Sequence, residues 1–532
     1  MIKGFRQIAS LTAVSRIFGF IRDIAYSHFF GANALLDAWT IAFKIPNLAR
    51  RLFGEGAISA SLIPVYSQEL HKNPEQAKQL ANTVVTVLFI LLAMIVLLGE
   101  GGLWTYYKFF SSTDETRLAL SLSSIMLPYM LLVCLVAILG GILNVHKHFA
   151  APAAAPIVLN IFIIGSIIVT SWVFKVKTRE QFFFVAVAVV IAGFMQIAIQ
   201  LPPLRACGFL IRPAWQIHSE AFRQIIFLMG PMILGLTATQ INTLCDDLIA
   251  WWFSGSAEKG LSFMLLGKEF IYPLQRGSVS HLYFAQRLYQ LPLGIFGISL
   301  ATAIFPVMSS YAAKKDFSGL SKTVSQGLAG AAFIALPATI GIIAVAKPLI
   351  SIAFQHGHFT SSDTNMVTWT LSFYALGISG YFAQQVLTRA FYSMQDSKTP
   401  MKSAIAAVIS NIILNITLIW FLGTGGLACA TALCSYLQVA ILAISLRRRL
   451  NIISAGLTSQ LLKTIAATAV MSLTILIVLL ISKNKADIFK LLLILPSAGG
   501  VYLLMAKFLH IEMLSMLTGS KRAKAEIVTA EN

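Results

Sequence analysis

The sequence predicts an all-α polytopic membrane protein of about fourteen transmembrane helices. Two pseudo-symmetric six-helix lobes are expected, with two further C-terminal helices. Three observations carry this. Of 532 residues, 57% are hydrophobic and 11% are charged, with a mean hydropathy of +0.78; a soluble domain carries roughly 25% charged residues. The apolar runs are continuous and about twenty residues long, the length that spans hydrocarbon, and lack the alternating ten-residue pattern of an outer-membrane barrel. Two separate joints repeat at nearly one offset along the chain.

The runs fall at 5–30, 34–68, 79–108, 116–147, 154–175, 182–203, 219–255, 276–312, 320–346, 364–395, 400–422, 426–448, 458–482 and 487–509. Polar or Gly/Pro-containing joints separate them, beginning with Gly31–Ala32–Asn33. Several runs exceed the spanning length, so tilt, bending or protrusion is expected. The basic start and apolar run of the N-terminus are read as a retained first helix, because Arg16 and Arg22 interrupt the run and no A-x-A cleavage site follows.

Joint charges set the expected orientation. With the N-terminus inside, the inside joints hold about 19 Lys and Arg, among them Lys72, Lys147, Arg205, Lys314 and Arg447–Arg449. The outside joints hold about 12, with the Lys175–Arg179 cluster running against the trend. Both termini are therefore expected on the cytoplasmic side of the membrane, which the chain crosses repeatedly. The net charge of +19 is assigned to these joints and to buried arginines rather than to a nucleic-acid partner.

Two features give the repeat. Ala60–Ser67 (ASLIPVYS) echoes Thr302–Ser309 (TAIFPVMS), aligning Pro64 on Pro306 at an offset of 242, and Pro152 and Pro400 each open a helix at an offset of 248. The implied division is an N-terminal lobe over 1–205, a C-terminal lobe over 219–449, terminal helices over 458–512 and a tail over 513–532. Duplicated transporters place the substrate path between repeats.

Charges inside the runs are the strongest functional signal. Arg16, Arg22 and Asp23 lie in the first run; Asp37, Lys44, Arg50, Arg51 and Glu55 in the second; Asp246, Asp247 and Arg287 further on. A charge at bilayer depth costs at least ~2.5–3.5 kcal/mol, so a polar cavity lined by cations and suited to an anionic passenger is the simplest account. Arg22, Arg50 and Arg287 come from three helices and offer bidentate, permanently charged contacts to a diphosphate. Interfacial snorkelling is the alternative, weakened for Arg50 and Arg51 unless the second run is broken between Pro46 and Gly54. Asp23, Asp37 and Glu55 are counter-ion candidates, and Asp37 is equally a helix cap. Asp246 and Asp247 could hold a coupling cation or a proton, or pair with a basic residue. Asn411 and Asn415, at i and i+4, could complete a hard-cation site or simply hydrogen bond between helices.

Enzyme readings lack their parts. There is no Walker loop, Ser/His/Asp set, HExxH or metal cluster. The five cysteines, Cys134, Cys207, Cys245, Cys429 and Cys434, show no metal spacing. No resident cofactor or metal is expected.

The motifs Ser15–Asp23 (SRIFGFIRD), Phe30–Ala38 (FGANALLDA), Ala42–Ala57 (AFKIPNLARRLFGEGA) and the run from Phe284 to Thr302 resemble the MurJ/MviN family of lipid II flippases. That family belongs to the multidrug/oligosaccharidyl-lipid/polysaccharide exporter superfamily. The resemblance covers essentially the whole chain. It implies two six-helix lobes around a central cavity, a lipid-tail groove on the last two helices, and alternating-access movement of the undecaprenyl-diphosphate-linked peptidoglycan precursor to the outer leaflet by a monomer among membrane lipids. It places essential arginines at Arg22, Arg50 and Arg287, sensitive positions at Arg16 and Asp37, and a possible Na+ or H+ coupling carboxylate at Asp246. Two departures stand out. Gln286 replaces the acid that many members carry before the helix 8 arginine, and Asn415 replaces the second carboxylate of the sodium pattern. The joint Gly255–Gln275 is also longer than usual. The rival within the superfamily is a cation-coupled exporter of a drug or another polysaccharide–lipid; a drug exporter for cations should have an acidic cavity, whereas this one reads basic.

Overall fold

A computed structural model of the chain describes residues 2–53, 59–111, 113–265, 267–450 and 455–517. Those residues are almost entirely helical. They cluster into two compact units, the first comprising Met1–Ser280 with His356–Phe359 and the second His281–Gln355 with Thr360–Asn532.

The first unit opens with α1 (Ile2–Phe29), α2 (Ala34–Ala49), α3 (Ser59–Lys72), α4 (Pro74–Phe109) and α5 (Asp114–Val145). It continues with α6 (Ala150–Ile168), α7 (Thr178–Ala198), α8 (Leu201–Ala206) and α9 (Glu220–Trp252). Capping side chains explain several starts: Asn33 accepts from the Leu35 and Leu36 amides, Asn73 from those of Glu75 and Gln76, and Thr113 from Thr116. Gly31 turns the chain between α1 and α2 at φ +70, where a Cβ would stand 2.5 Å from the His358 carbonyl oxygen. Reciprocally, the His358 amide donates to the His28 carbonyl at 3.0 Å. The deeply packed α5 holds the unit together, lying against α2, α4 and α7, while α1 packs on α6. Aromatic rings fill the space between them: Trp39 stacks on Phe43 at 5.5 Å, and Phe30 meets Phe182 at 4.2 Å. Lipid tails give helices little hydrophobic reason to associate, so close packing and buried polar ties matter more. The Gln196 amide donating to the Ala155 carbonyl at 2.7 Å is one such tie.

After α9 come four short strands, β1 (Ser254–Gly255), β2 (Ser262–Leu265), β3 (Lys268–Ile271) and β4 (Leu274–Gln275). β1 pairs with β4 in parallel, and β2 with β3 as an antiparallel hairpin. This is the long joint expected at Gly255–Gln275. α10 (Ser278–Pro292) follows and carries the chain from the first unit into the second.

The second unit continues with α11 (Ile298–Ala313), α12 (Phe317–Phe354), α13 (Ser361–Leu376), α14 (Ile378–Ser393) and α15 (Lys398–Leu422). It ends with α16 (Thr424–Arg447), α17 (Ala455–Ile481), α18 (Asp487–Phe508) and α19 (Glu512–Leu517). α12 is its hub, packing on α11, α13, α14, α17 and α18. The two terminal helices are fastened to it by a cluster of Phe333, Met471, Ile475, Ile494 and Tyr502, with the Tyr502 hydroxyl donating to the Phe333 carbonyl at 2.6 Å. Pro337 and Pro348 sit inside α12 without ending it, as neighbouring helices permit in a membrane; the helix therefore runs beyond the expected 320–346.

Ten helical segments among the described residues are each long and apolar enough to cross a membrane. The expected spans outside those ten are α1, the α2–α3 run, α9 and the α13–α14 run. Three runs expected as single helices are interrupted. A π-helical turn over 50–53 ends α2, another over Leu293–Gly297 divides α10 from α11, and Gly377 separates α13 from α14. Widened π turns release backbone carbonyls from the regular ladder and concentrate at functional segments.

Candidate substrate-binding site

The polar spans of the first unit hold most of the residues singled out from the sequence. α1 carries Arg22, whose side chain is buried although it bears a full charge. Its Nε and Nη2 donate to Asp23 Oδ1 at 3.1 and 2.8 Å, and its Nη1 donates to Asn160 Oδ1 on α6 at 3.1 Å. The guanidinium also lies 5.7 Å from the Tyr26 ring centroid. Asp23 is thus the counter-ion it was expected to be. Arg16, further up α1, is exposed.

α2 and α9 meet through two polar ties with matched spacing. Lys44 forms an ion pair and hydrogen bond with the buried carboxylate of Asp247. Seven residues on, Arg51 Nη1 donates to Gln240 Oε1 at 3.0 Å, seven residues back on α9. The equal and opposite steps show that the two segments run antiparallel, with one face of each turned to the other for two turns. Of the alternatives for the acidic pair, Asp247 takes the basic partner. Arg50 lies in the π-helical turn and is partly buried; Arg51 is exposed. The second run is therefore broken at the arginines, the condition under which the sequence argument against snorkelling loses force. Glu55 lies outside the described residues.

Asp37 is fully buried near the start of α2. The cap of α2 is Asn33, which corrects the capping alternative for Asp37 on its own helix. Asp37 instead caps α10: it accepts from the Gly277 amide at 2.6 Å, from the Ser280 amide at 2.7 Å and from the Ser280 hydroxyl at 2.6 Å. A carboxylate receiving the free N–H groups of a helix start is favoured by both hydrogen bonding and the helix dipole.

In the second unit Arg287 lies on α10 with its guanidinium 4.8 Å from the Tyr283 ring centroid. Beside it Gln286, the departure from the family pattern, donates to the Tyr374 hydroxyl at 3.1 Å. Tyr374 in turn stacks on Tyr289 at 4.7 Å. Asn415 donates to Asn411 Oδ1 at 2.8 Å, and Asn411 donates to Thr431 Oγ1 on α16 at 3.1 Å. This is the interhelical hydrogen-bonding reading of the two asparagines. Asp246 is buried in the first unit. Among the described residues no three His, Cys, Asp or Glu side chains gather as metal ligands, and none of the five cysteines is in a disulfide.

Asn160 was missed by the sequence reading. Its signal was available, a polar amide inside the apolar 154–175 run, where such a group must find a partner. Lys44 was noticed as a charge but not assigned to Asp247.

A many-helix membrane fold with charges concentrated in a few spans is the architecture of a membrane transporter. In keeping with this, a MATE multidrug transporter in its inward-facing conformation shares the fold at a TM-score of 0.62 and 13% identity, covering 83% of this chain and 97% of its own. The family model described as lipid II flippase MurJ matches residues 26–497, and the chain belongs to that family. It is 32% identical to the probable lipid II flippase MurJ of Vibrio cholerae, with 83% of this chain and 82% of the relative aligned. It is 30% identical to the MurJ homologue of Buchnera aphidicola subsp. Schizaphis graminum over 97% and 98% of the two chains. A solved MurJ in an inward closed conformation superposes at a TM-score of 0.76 with 25% identity, over 95% of this chain and 99% of that one. The family is one of transporters rather than enzymes, and the chain is a multi-pass inner-membrane protein.

Proposed function

We propose that the chain carries lipid II from the cytoplasmic to the outer leaflet by alternating access, gripping the diphosphate with Arg22, Arg50 and Arg287. The observation that carries this reading is Arg22, a guanidinium buried in a span and held by Asp23 and Asn160. The Asp23 carboxylate and the neutral Asn160 amide orient the group inside the span. A diphosphate, with two neighbouring charges and several acceptor oxygens, competes well for such a donor fork. The lipid tail stays in the bilayer, where the family's groove on the last two helices corresponds to α17 and α18. Arg16, Asp37, Arg51 and Glu55 are proposed as supporting residues of the same path. Both termini are placed in the cytoplasm by the joint charges.

Asp246 is the proposed carboxylate for a coupling Na+ or H+, while Asn411 and Asn415, hydrogen-bonded to each other and to Thr431, are left to helix packing. Transport into liposomes that holds steady with and without a sodium or proton gradient would remove this coupling from the account.

Growth of a flippase-depleted bacterium tests the main reading. The parent chain should restore growth, and Arg22→Ala, Arg50→Ala and Arg287→Ala should each fail while inserting at parental levels. Normal growth with all three would overturn the role given to the arginines.

A further inference from the structure

We propose that the β2–β3 hairpin is a membrane-surface anchor, with Leu261, Met264 and Ile271 seated in the lipid interface beside the end of α9. The hairpin has two chemically different faces. Paired strand residues share a face, so Phe263 and Phe270 lie together, stacked at 5.9 Å, and Phe263 turns to Tyr272 at 4.9 Å. That face supports the loop itself. The opposite face carries Met264 paired with Glu269 and Ile271 paired with Ser262, the Ser262 hydroxyl donating to Glu269 Oε1, with Leu261 just before β2; Met264, Ile271 and Leu261 are 68, 74 and 76% exposed. No described residue of the first unit covers them.

Three ties hold the loop to the membrane end of the helices. β1 pairs with β4, so the loop leaves and returns at one point. The Lys259 ammonium donates to the Trp252 carbonyl and lies 4.3 Å from the Tyr272 ring centroid. Glu258 accepts from the Asp114 amide at the start of α5 at 2.7 Å. That end of the unit also bears an aromatic girdle with interleaved cations. Trp104, Phe110, Trp172, Phe174 and Trp252 are all exposed there, and the Lys108 ammonium sits 5.0 Å from the Trp104 ring centroid. Arg179 at the start of α7 reaches Asp114 at 3.4 Å, which fixes these helix ends at one level. Exposed Trp with Lys marks the level where hydrocarbon meets headgroups. The loop that bears the hairpin joins this girdle at Trp252, whose carbonyl Lys259 holds.

Size separates lipid from a protein partner. A specific protein interface buries about 1,200–2,000 Å² and takes some 20–30 residues on each side. Three side chains on a four-residue ladder fall far short, while an interfacial anchor has no such minimum.

Depth-resolved quenching tests this. Met264→Cys and Ile271→Cys are labelled with an NBD fluorophore and reconstituted in liposomes. Ala257→Cys, exposed in the same loop, serves as the water-facing site, and the parent chain taken through labelling gives the background from its own cysteines. The exposure of all three positions leaves the fold undisturbed. Quenching of both hairpin labels by doxyl lipid, with iodide on both sides of the membrane much less effective than at Ala257→Cys, is the expected result. Iodide quenching equal to that at Ala257→Cys would place the hairpin in water and overturn the proposal. Protection from both quenchers would mean a protein covers the face and would overturn it as well.

Discussion

Lys44 and Asp247 illustrate what a charge inside the bilayer requires. Neither residue is stable there alone, because an uncompensated ion in a low-dielectric setting costs several kcal/mol. Together they tie α2 to α9. Lys44→Ala should therefore lower stability by about 3 kcal/mol, and the double change Lys44→Met with Asp247→Leu should recover most of that loss. Thermal unfolding in one detergent checks both; equal losses in single and double variants would contradict the pairing. Arg22 differs, since its amide partner is neutral. Asn160→Leu should leave insertion intact but weaken transport, because the guanidinium then loses the hydrogen bond that fixes its direction. The charges themselves were legible in the sequence, as was the pairing of neighbours Arg22 and Asp23. Their long-range partners were not. Asn160 lies 138 residues from Arg22 and Asp247 lies 203 from Lys44, and no local pattern connects such positions.

At the scale of elements, the breaks carry the information that composition hides. The π-helical turn of the 34–68 run holds Arg50 and Arg51 between longer apolar stretches, so the sequence reads one helix where the backbone makes two. Pro46 and Gly54 hinted at the break without fixing it. The tight crossing of the α1–α2 turn with the His356–Phe359 segment was also invisible, since it rests on two glycines far apart in sequence. Gly357 sits at φ +61, and a Cβ there would lie 2.1 Å from the His28 carbonyl oxygen. Gly357→Ala should cost well over the ~1–2 kcal/mol of left-handed strain alone, whereas Gly101→Ala on α4, with nothing within 4 Å, should be neutral to slightly stabilising. Comparing their melting temperatures checks this.

The loop after α9 gives a pH signature. Burial, with help from Arg276 and against the pull of Glu115, lowers the Lys259 ammonium to about 8. The folded state thus holds fewer protons than the unfolded chain between about 8 and the ordinary lysine value. Stability should rise with pH across that window, with no pH dependence from this group below it. In Lys259→Gln that component of the rise between pH 8 and 10 should vanish from thermal melts; an unchanged slope would contradict it.

For the whole molecule, the fold class, the polar spans and the family were all legible, because bilayer thickness and charge cost act on sequence directly. The echoed segments also share local backbone features. Pro64 and Pro306 each follow a π-helical break by about three turns, at 50–53 and Leu293–Gly297. Pro152 and Pro400 each occupy the third residue of a helix, in α6 and α15. Equivalent hinges in two halves suit a transporter that alternates between leaflets.

The most direct test of the central claim is leaflet-resolved labelling of lipid II in liposomes holding the purified chain. Precursor supplied in one leaflet should become accessible to a membrane-impermeant reagent on the other side with the parent chain, and Arg22→Ala, Arg50→Ala and Arg287→Ala should each slow this by about tenfold or more, the effect of losing ~1.4 kcal/mol of charge-assisted binding. Equal transfer by all three variants and the parent would contradict the account.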